Sequence, residues 1–274
     1  MRDLVGKVAV ITGGASGIGL ALAHACIEAG MQVVIADIVE LVLAEVCAAL
    51  PAIGVRTDVS DPESVAALAS SVKSEFGTCH LVFNNAGVGG LGQIVDQSLA
   101  DWNWIIDVNL RGVIHVIHSF LPMLLSNPGG GHLVNTASIA GLVPFVSGPY
   151  TAAKYAVVGI SETLRHELAG TKVGVSVLCP GFVHTNIRTS HRNRPGDVGE
   201  AASARVRSTT TSPLKGQTLT VLEPADVARQ TMHAVTNNEF WIVTDPSLLR
   251  LSTRYDELRE IAEGPSLPRG RSDG

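Results

Sequence analysis

The chain predicts an open α/β fold, a mostly parallel seven-stranded sheet that is doubly wound, with helices on both faces. Three observations carry this expectation. Short β-branched runs alternate with longer helical patterns, the mark of consecutive βαβ units. Hydrophobic residues make up 46% of the 274, charged ones 16% and aromatic ones only 4%. Apolar mass built from Val, Ala, Leu and Ile suits parallel strands buried on both sides better than a β-sandwich. A glycine cluster follows the first apolar run, where a strand must turn sharply into a helix.

Taken in order, Val8–Thr12 is the first strand, followed by the glycine turn and a helix from about Gly17 to Ala29. Gly30 stands where a left-handed cap is expected. Gln32–Asp37 is the second strand, and a helix around Val39–Leu50 stops at Pro51. Ile53–Thr57 is the third strand. Ser60 is expected to cap a helix reaching about Phe76, with Pro62 and Glu63 in its first turn, where both are favoured. His80–Asn84 is the fourth strand, and one helix runs from about Leu99 to Leu121, stopped by Pro122. After a turn at Pro128–Gly131 come the strand His132–Thr136, a long helix over Tyr150–Leu168 and the strand Gly174–Leu178. From His184 to Glu223 the rhythm fails. That stretch is polar and without period, and reads as a substrate-binding lid. A helix near Pro224–Val235, a strand at Phe240–Val243 and a helix near Leu248–Ala262 complete the order. No repeat or linker divides the chain. Residues 1–263 are therefore expected to form a single domain with its lid at 184–223, and residues 264–274 a flexible tail.

Composition narrows function. The formal net charge of −5 argues against nucleic acid as a partner. No uninterrupted apolar run is long enough to span a bilayer, so no membrane role is expected. Met1 to Lys7 lead straight into a strand with no signal-peptide h-region, which predicts a cytoplasmic protein. Cys26, Cys47, Cys79 and Cys179 are scattered and read as ordinary buried thiols.

Thr12-Gly13-Gly14-Ala15-Ser16-Gly17-Ile18-Gly19 lies between the first strand and the first helix. Glycines let a backbone approach a pyrophosphate closely, and the helix that follows offers free N–H groups and its positive dipole end. A plain turn could also use glycines. The flanking strand and helix, with Asp37 ending the second strand, favour a dinucleotide on a Rossmann fold. A carboxylate at Asp37 can accept from ribose hydroxyls and would repel a 2′-phosphate. The turn holds no Lys or Arg, so NAD is predicted over NADP.

Tyr150 and Lys154 stand one helical turn apart and share a face. A tyrosine is a poor base at neutral pH, but a neighbouring ammonium stabilises its phenolate. The pair can then act as general acid and base in alcohol–ketone chemistry. Ser138, just past the fifth strand, could hydrogen-bond both the substrate oxygen and Tyr150. Tyr–Lys pairs at this spacing are usually idle. Here the place at the carboxyl end of a central strand, where ligands bind in open α/β sheets, favours catalysis.

With these residues in hand, the chain resembles the short-chain dehydrogenase/reductase family. The carrying pieces are TGGASGIG at Thr12–Gly19, Asp58-Val59, NNAG at Asn84–Gly87, VNLRG around Asn109, Ser138, YTAAK at Tyr150–Lys154 and PGFVHT at Pro180–Thr185. The resemblance implies an NAD-dependent oxidoreductase interconverting a secondary alcohol and a ketone. It implies Gly13, Ser16, Gly17, Ile18 and Gly19 against the pyrophosphate, Asp37 at the ribose, and Asp58 and Val59 at the adenine. Asn85 and Gly87 would line the cofactor cleft. Pro180, Gly181, Val183 and Thr185 would hold the nicotinamide side, where Tyr150 and Lys154 also contact the cofactor. The implied catalytic set is Ser138, Tyr150, Lys154 and Asn109, the last holding a water relay to Lys154 through a helix kink.

Two departures from the family pattern stand out. The Ser138–Tyr150 separation is one residue short, which demands a tighter path over Ile139–Pro149. The last strand ends in Thr244-Asp245-Pro246 instead of glycines, which is expected to alter a tetramer interface. This ending, with DWNWIIDVNLRGV at Asp101–Val113, resembles a bacterial subgroup that includes aryl-alcohol dehydrogenases and points to an aromatic substrate.

Other features carry less. His115 and His118 are spaced i, i+3 but lack a third ligand, and no metal is expected. The lid arginines, Arg194 among them, suit solvation better than an anionic substrate. Trp102 and Trp104 read as packing or interface residues. Ala152, Ala153, Ala156, Val157, Val158 and Ile160 surround the helix from Tyr150, so both its sides need cover and a homodimer or homotetramer is expected. A non-catalytic dinucleotide sensor on the same fold is the alternative function.

Overall fold

The computed structural model describes residues 1, 3–90, 92–144, 147–194 and 220–263. Its elements are β1 (Val8–Thr12), α1 (Gly17–Glu28), β2 (Gln32–Asp37), α2 (Glu40–Ala49), β3 (Ala52–Arg56), α3 (Pro62–Phe76) and β4 (Leu81–Asn84). Then follow α4 (Leu99–Ile106), α5 (Gly112–Ser126), β5 (Gly131–Thr136), α6 (Gly148–Glu167) and β6 (Val173–Cys179). A short β7 (Phe182–Val183), β8 (Val221–Leu222), α7 (Pro224–Asn237), β9 (Trp241–Val243) and α8 (Arg254–Glu263) complete the described chain.

Seven strands form one sheet in the order β3-β2-β1-β4-β5-β6-β9, and every pairing is parallel. Strand alternation builds two cores. Val8, Val10, Val34 and Val82 face α3, α5 and α6, where Leu68, Phe120 and Val157 are buried. Ala9, Ile11, Ile35 and Phe83 face the other way, toward Leu22 of α1, Leu43 of α2 and Val235 of α7. Each fully buried side chain of this size contributes about 2–3 kcal/mol from removing apolar surface from water. The winding reverses between β1 and β4. That switch point opens a crevice at the carboxyl ends of the strands.

Most expected elements stand within a residue or two, and four expectations need correcting. Asp61, not Ser60, caps α3, its carboxylate accepting from the Glu63 N–H at 2.9 Å. Ser60 instead donates to Asp58 at 2.6 Å. Pro122 does not stop its helix, because its ring faces solvent and Leu124 beyond it is fully buried, so α5 continues to Ser126. The single helix expected over Leu99–Leu121 is two, joined by a π-helical turn at Asp107–Arg111. The expected last helix begins as a 3-10 segment, Pro246–Leu251, with α8 starting only at Arg254.

The continuous helical run Leu99–Ser126 is, by length and composition alone, apolar enough to cross a membrane. In the fold it packs Val113, Val116 and Phe120 into the core. The β7–β8 pair, with only two residues in each strand, has no periodic signal in the sequence. Residues 195–219 of the expected lid and the expected tail at 264–274 lie outside the described residues.

Candidate active site

The turn after β1 takes its shape from two glycines in left-handed conformation, Gly13 at φ 63° and Gly17 at φ 54°. A Cβ on Gly13 would sit 2.8 Å from the Ala86 Cα, and one on Gly19 would sit 2.1 Å from the Gly13 carbonyl oxygen. Gly19 therefore lets α1 press against its own entry turn, while Gly13 keeps β1 and β4 close. The first turn of α1 carries no acidic side chain, and Ser16 makes no side-chain cap, so the N–H groups there remain available to an anion.

Asp37 closes β2 beside this cradle. Its two oxygens accept from the N–H groups of Ala15 and Val39, both at 3.1 Å. The carboxylate is thus fixed in orientation with lone pairs to spare for ribose hydroxyls. Ile38, Val39 and Val42 line the same end of the cleft, so its wall beside Asp37 is apolar. Asp58 is held by the N–H and hydroxyl of Ser60, and Val59 is buried alongside it. Asn85 ties β4 to β1 by donating to the Thr12 carbonyl at 3.0 Å. These residues fit a dinucleotide. Their backbone cradle would be filled by any side chain, and the Asp37 carboxylate sits where a ribose would follow.

The cleft continues past the sheet end and encloses about 780 Å³. Gly13, Ser16, Gly17, Ile18, Asp37, Asp58, Val59, Asn85, Gly87, Pro180, Gly181, Val183 and Thr185 all line it, as do Ser138, Tyr150 and Lys154. Of the site residues predicted from sequence, Gly19 and Asn109 alone stand behind the wall. The C-terminal Thr244-Asp245-Pro246 segment also acts here, because the Thr244 hydroxyl accepts from the Gly181 N–H at 3.0 Å. The departure from a glycine ending therefore supports the cleft wall.

At the catalytic end, Lys154 is 3% exposed and its Nζ donates to the Thr136 carbonyl at 2.8 Å. Burial lowers its pKa to about 8. Its Nζ lies 5.7 Å from the centre of the Tyr150 ring. Burial raises the Tyr150 hydroxyl above its usual value, and a hydrogen bond with Ser138 offsets part of that rise. The neutral phenol is therefore the resting form. Ser138 caps the 3-10 turn Ile139–Gly141, its Oγ accepting from the Ala140 N–H at 3.1 Å, which leaves its own proton free to donate. That turn begins the loop that joins Ser138 to Tyr150. Phe145 and Val146 of the same loop lie outside the described residues.

Asn109 is fully buried in the π-helical turn. Its amide clamps Val88, accepting from the N–H and donating to the carbonyl, both at 2.8 Å. A Cβ on Gly87 would stand 2.9 Å from Asn109 Oδ1 and 3.6 Å from Lys154 Nζ, so bare glycine lets the two approach.

A family model described as short chain dehydrogenase matches residues 7–196. The chain belongs to the short-chain dehydrogenase family. A short-chain dehydrogenase from Burkholderia phymatum, solved in complex with NAD, is 39% identical and superposes with a TM-score of 0.83, over 98% of this chain and 100% of that one. A C alpha-dehydrogenase from a Sphingobium strain is 34% identical over 90% of this chain and 83% of its own length. A cyclohexanol dehydrogenase from an Acinetobacter strain is 37% identical over 65% of this chain and 74% of its own.

Trp104 in this short-chain dehydrogenase lines the cleft, against the expectation of a packing or interface role. Arg194 lies over its ring at 5.6 Å. His115 points its ring to the Val59 carbonyl at 2.9 Å, and no group of three possible metal ligands occurs among the described residues. Cys26, Cys79 and Cys179 are buried free thiols, whereas Cys47 is half-buried.

Proposed function

We propose that this short-chain dehydrogenase uses NAD to interconvert a secondary alcohol and its ketone. The observation that carries the reading is the meeting of Ser138, Tyr150 and Lys154 in the same cleft as the glycine cradle and Asp37. The NAD complex of the Burkholderia relative and the cyclohexanol dehydrogenase name of the Acinetobacter one support the same cofactor and substrate class. Bound NAD supplies the hydride acceptor for oxidation.

The residues then divide the work. Ser138 donates a hydrogen bond to the substrate oxygen and holds it beside Tyr150. Tyr150 takes the alcohol proton in oxidation and returns it to the carbonyl oxygen in reduction. Lys154, anchored on the Thr136 carbonyl, places positive charge beside the Tyr150 ring and favours its phenolate. Asn109 fixes the π-helical turn behind Lys154 and supports the proton path. Trp104, Ile105, Val108 and Ile139 give the substrate end an apolar wall, which suits a cyclic or aromatic body. The segment from His184 is the substrate lid of a single domain, and the working form is a homodimer or homotetramer. With all four catalytic-type residues in place, the non-catalytic sensor reading has no observation in its favour.

The test measures reduced-nicotinamide absorbance with NAD, and separately NADP, against a panel of cyclic and aryl secondary alcohols. Turnover should favour NAD. Tyr150→Phe should lower kcat by about 10²-fold or more while NAD still binds. Wild-type rates in that variant would refute the assignment.

A further inference from the structure

Residues 186–194 cross the mouth of the cleft as a strap with three fastenings. Near the cofactor cradle, Thr185 caps it and packs on Gly17, where an added Cβ would lie 3.1 Å from Thr185 Cγ2. Midway, the buried Ser190 accepts from the Gly89 N–H at 2.8 Å. Gly89 is bare because a Cβ there would lie 2.6 Å from the Ile187 carbonyl oxygen. At the far end, Arg194 forms an ion pair with Asp101 of α4, both side chains nearly inaccessible at 4% and 7% exposed.

We propose that this Arg194–Asp101 pair is a latch, two positioning residues that seat the strap against α4 and so set the enzyme's affinity for its alcohol or ketone. The inference deepens the functional reading above and rests on it for the substrate. Arg194 is absent from the cleft wall, whereas Ile187, Ser190 and Asn193 on the strap and Asp101, Trp104 and Ile105 on α4 form it. Arg194 therefore acts through the strap and the Trp104 face it covers.

Asp101 is prepared for the role before the strap arrives. Its Oδ2 accepts from the Ser98 N–H at 2.9 Å and from the Ser98 hydroxyl at 2.6 Å, closing the capping box of α4. Oδ1 is left for the guanidinium. A planar guanidinium can pair there and cover an indole together, which an ammonium does less well. Removing one partner of a buried pair strands the other charge, while removing both spares the fold that penalty. Stability and positioning can thus be separated.

The experiment uses the full chain as wild type, Arg194→Lys, Arg194→Met, Asp101→Asn and the double variant Asp101→Asn with Arg194→Met. Hydrogen-exchange mass spectrometry should show peptides over 186–194 exchanging about tenfold faster in Arg194→Met, with sheet peptides unchanged. With the best alcohol of the panel, KM should rise about tenfold and kcat fall less. Arg194→Lys should lie between. The double variant should regain melting temperature over Arg194→Met yet keep the raised KM. Unchanged strap exchange in Arg194→Met, or a KM that returns to wild type in the double variant, would overturn the latch. Should wild type turn over no alcohol, the functional reading fails, while the exchange data still decide whether the pair holds the strap.

Discussion

Two buried bases show what one cause does at different places. Burial lowers Lys154 to about 8, at the floor of the cleft, and lowers His132 to about 3, within β5. For Lys154 the shift brings an amine into the range where it can exchange protons with solvent near neutrality. For His132 it has only a stability consequence. The ring sits 2.7 Å from the Ser176 hydroxyl, which itself donates to the Glu239 carbonyl, so neutral His132 is the donor through Nε2. The folded chain leaves His132 unprotonated until about pH 3, whereas the unfolded chain protonates it near its ordinary value of 6.5. Between those values the unfolded state holds the extra proton, so stability falls as pH falls, by about 1.4 kcal/mol per unit. His80 adds to the same trend, its pKa lowered by burial and then by Lys7. We expect His132→Gln, which cannot protonate, to flatten the melting temperature between pH 6.5 and 4. An equally steep fall in that variant would show that other groups carry the acid sensitivity.

At the scale of elements, the π-helical turn does what an uninterrupted helix could not. One extra residue per turn at Asp107–Arg111 rotates Asn109 inward to reach both backbone groups of Val88. Just after the turn, Gly112 packs against Val59, where an added Cβ would lie 2.8 Å from Val59 Cγ2. The loop after β4 is thereby pinned behind Lys154. Asn109→Ala would leave a buried N–H and a buried carbonyl at Val88 without their partner, a cost of about 2–4 kcal/mol. The expected result in thermal denaturation is a melting temperature lower by several degrees, with NAD turnover reduced as well. A variant that melts with wild type would mean the clamp contributes little.

For the whole molecule, the question is what covers α6. Its inner face is buried by Ala153, Val157, Val158 and Leu164. Ala152, Gly159 and Thr163 form an exposed outer stripe of small residues at i, i+7 and i+11, with nothing within 4 Å of a Cβ added at Gly159. Small side chains allow close helix approach, and Ile114 of the neighbouring α5 is also 45% exposed. Sedimentation at micromolar concentration should find a dimer or tetramer, and Gly159→Arg should shift it to a smaller species. A wild-type monomer would defeat the homo-oligomer expectation.

The winding, the glycine cradle and the meeting of Ser138, Tyr150 and Lys154 in one cleft were legible in the sequence, because each depends on short-range geometry. A glycine turn after a strand, a carboxylate at the next strand end and an i, i+4 pair are readable within a few residues. The sequence misplaced the α3 cap, because Ser60 bonds Asp58 instead, and ended a helix at Pro122, beyond which Leu124 is buried. Tertiary packing alone set the Arg194–Asp101 pair, 93 residues apart, the Gly89–Ser190 bond, 101 apart, and the Thr136 carbonyl that anchors Lys154. It also turned Trp104 to the cleft and Thr244 to Gly181. Such partners are chosen by which surfaces the closed sheet brings together. Composition and periodicity carry no record of that choice, because a polar residue on a loop reads the same whether its partner is water or a buried charge.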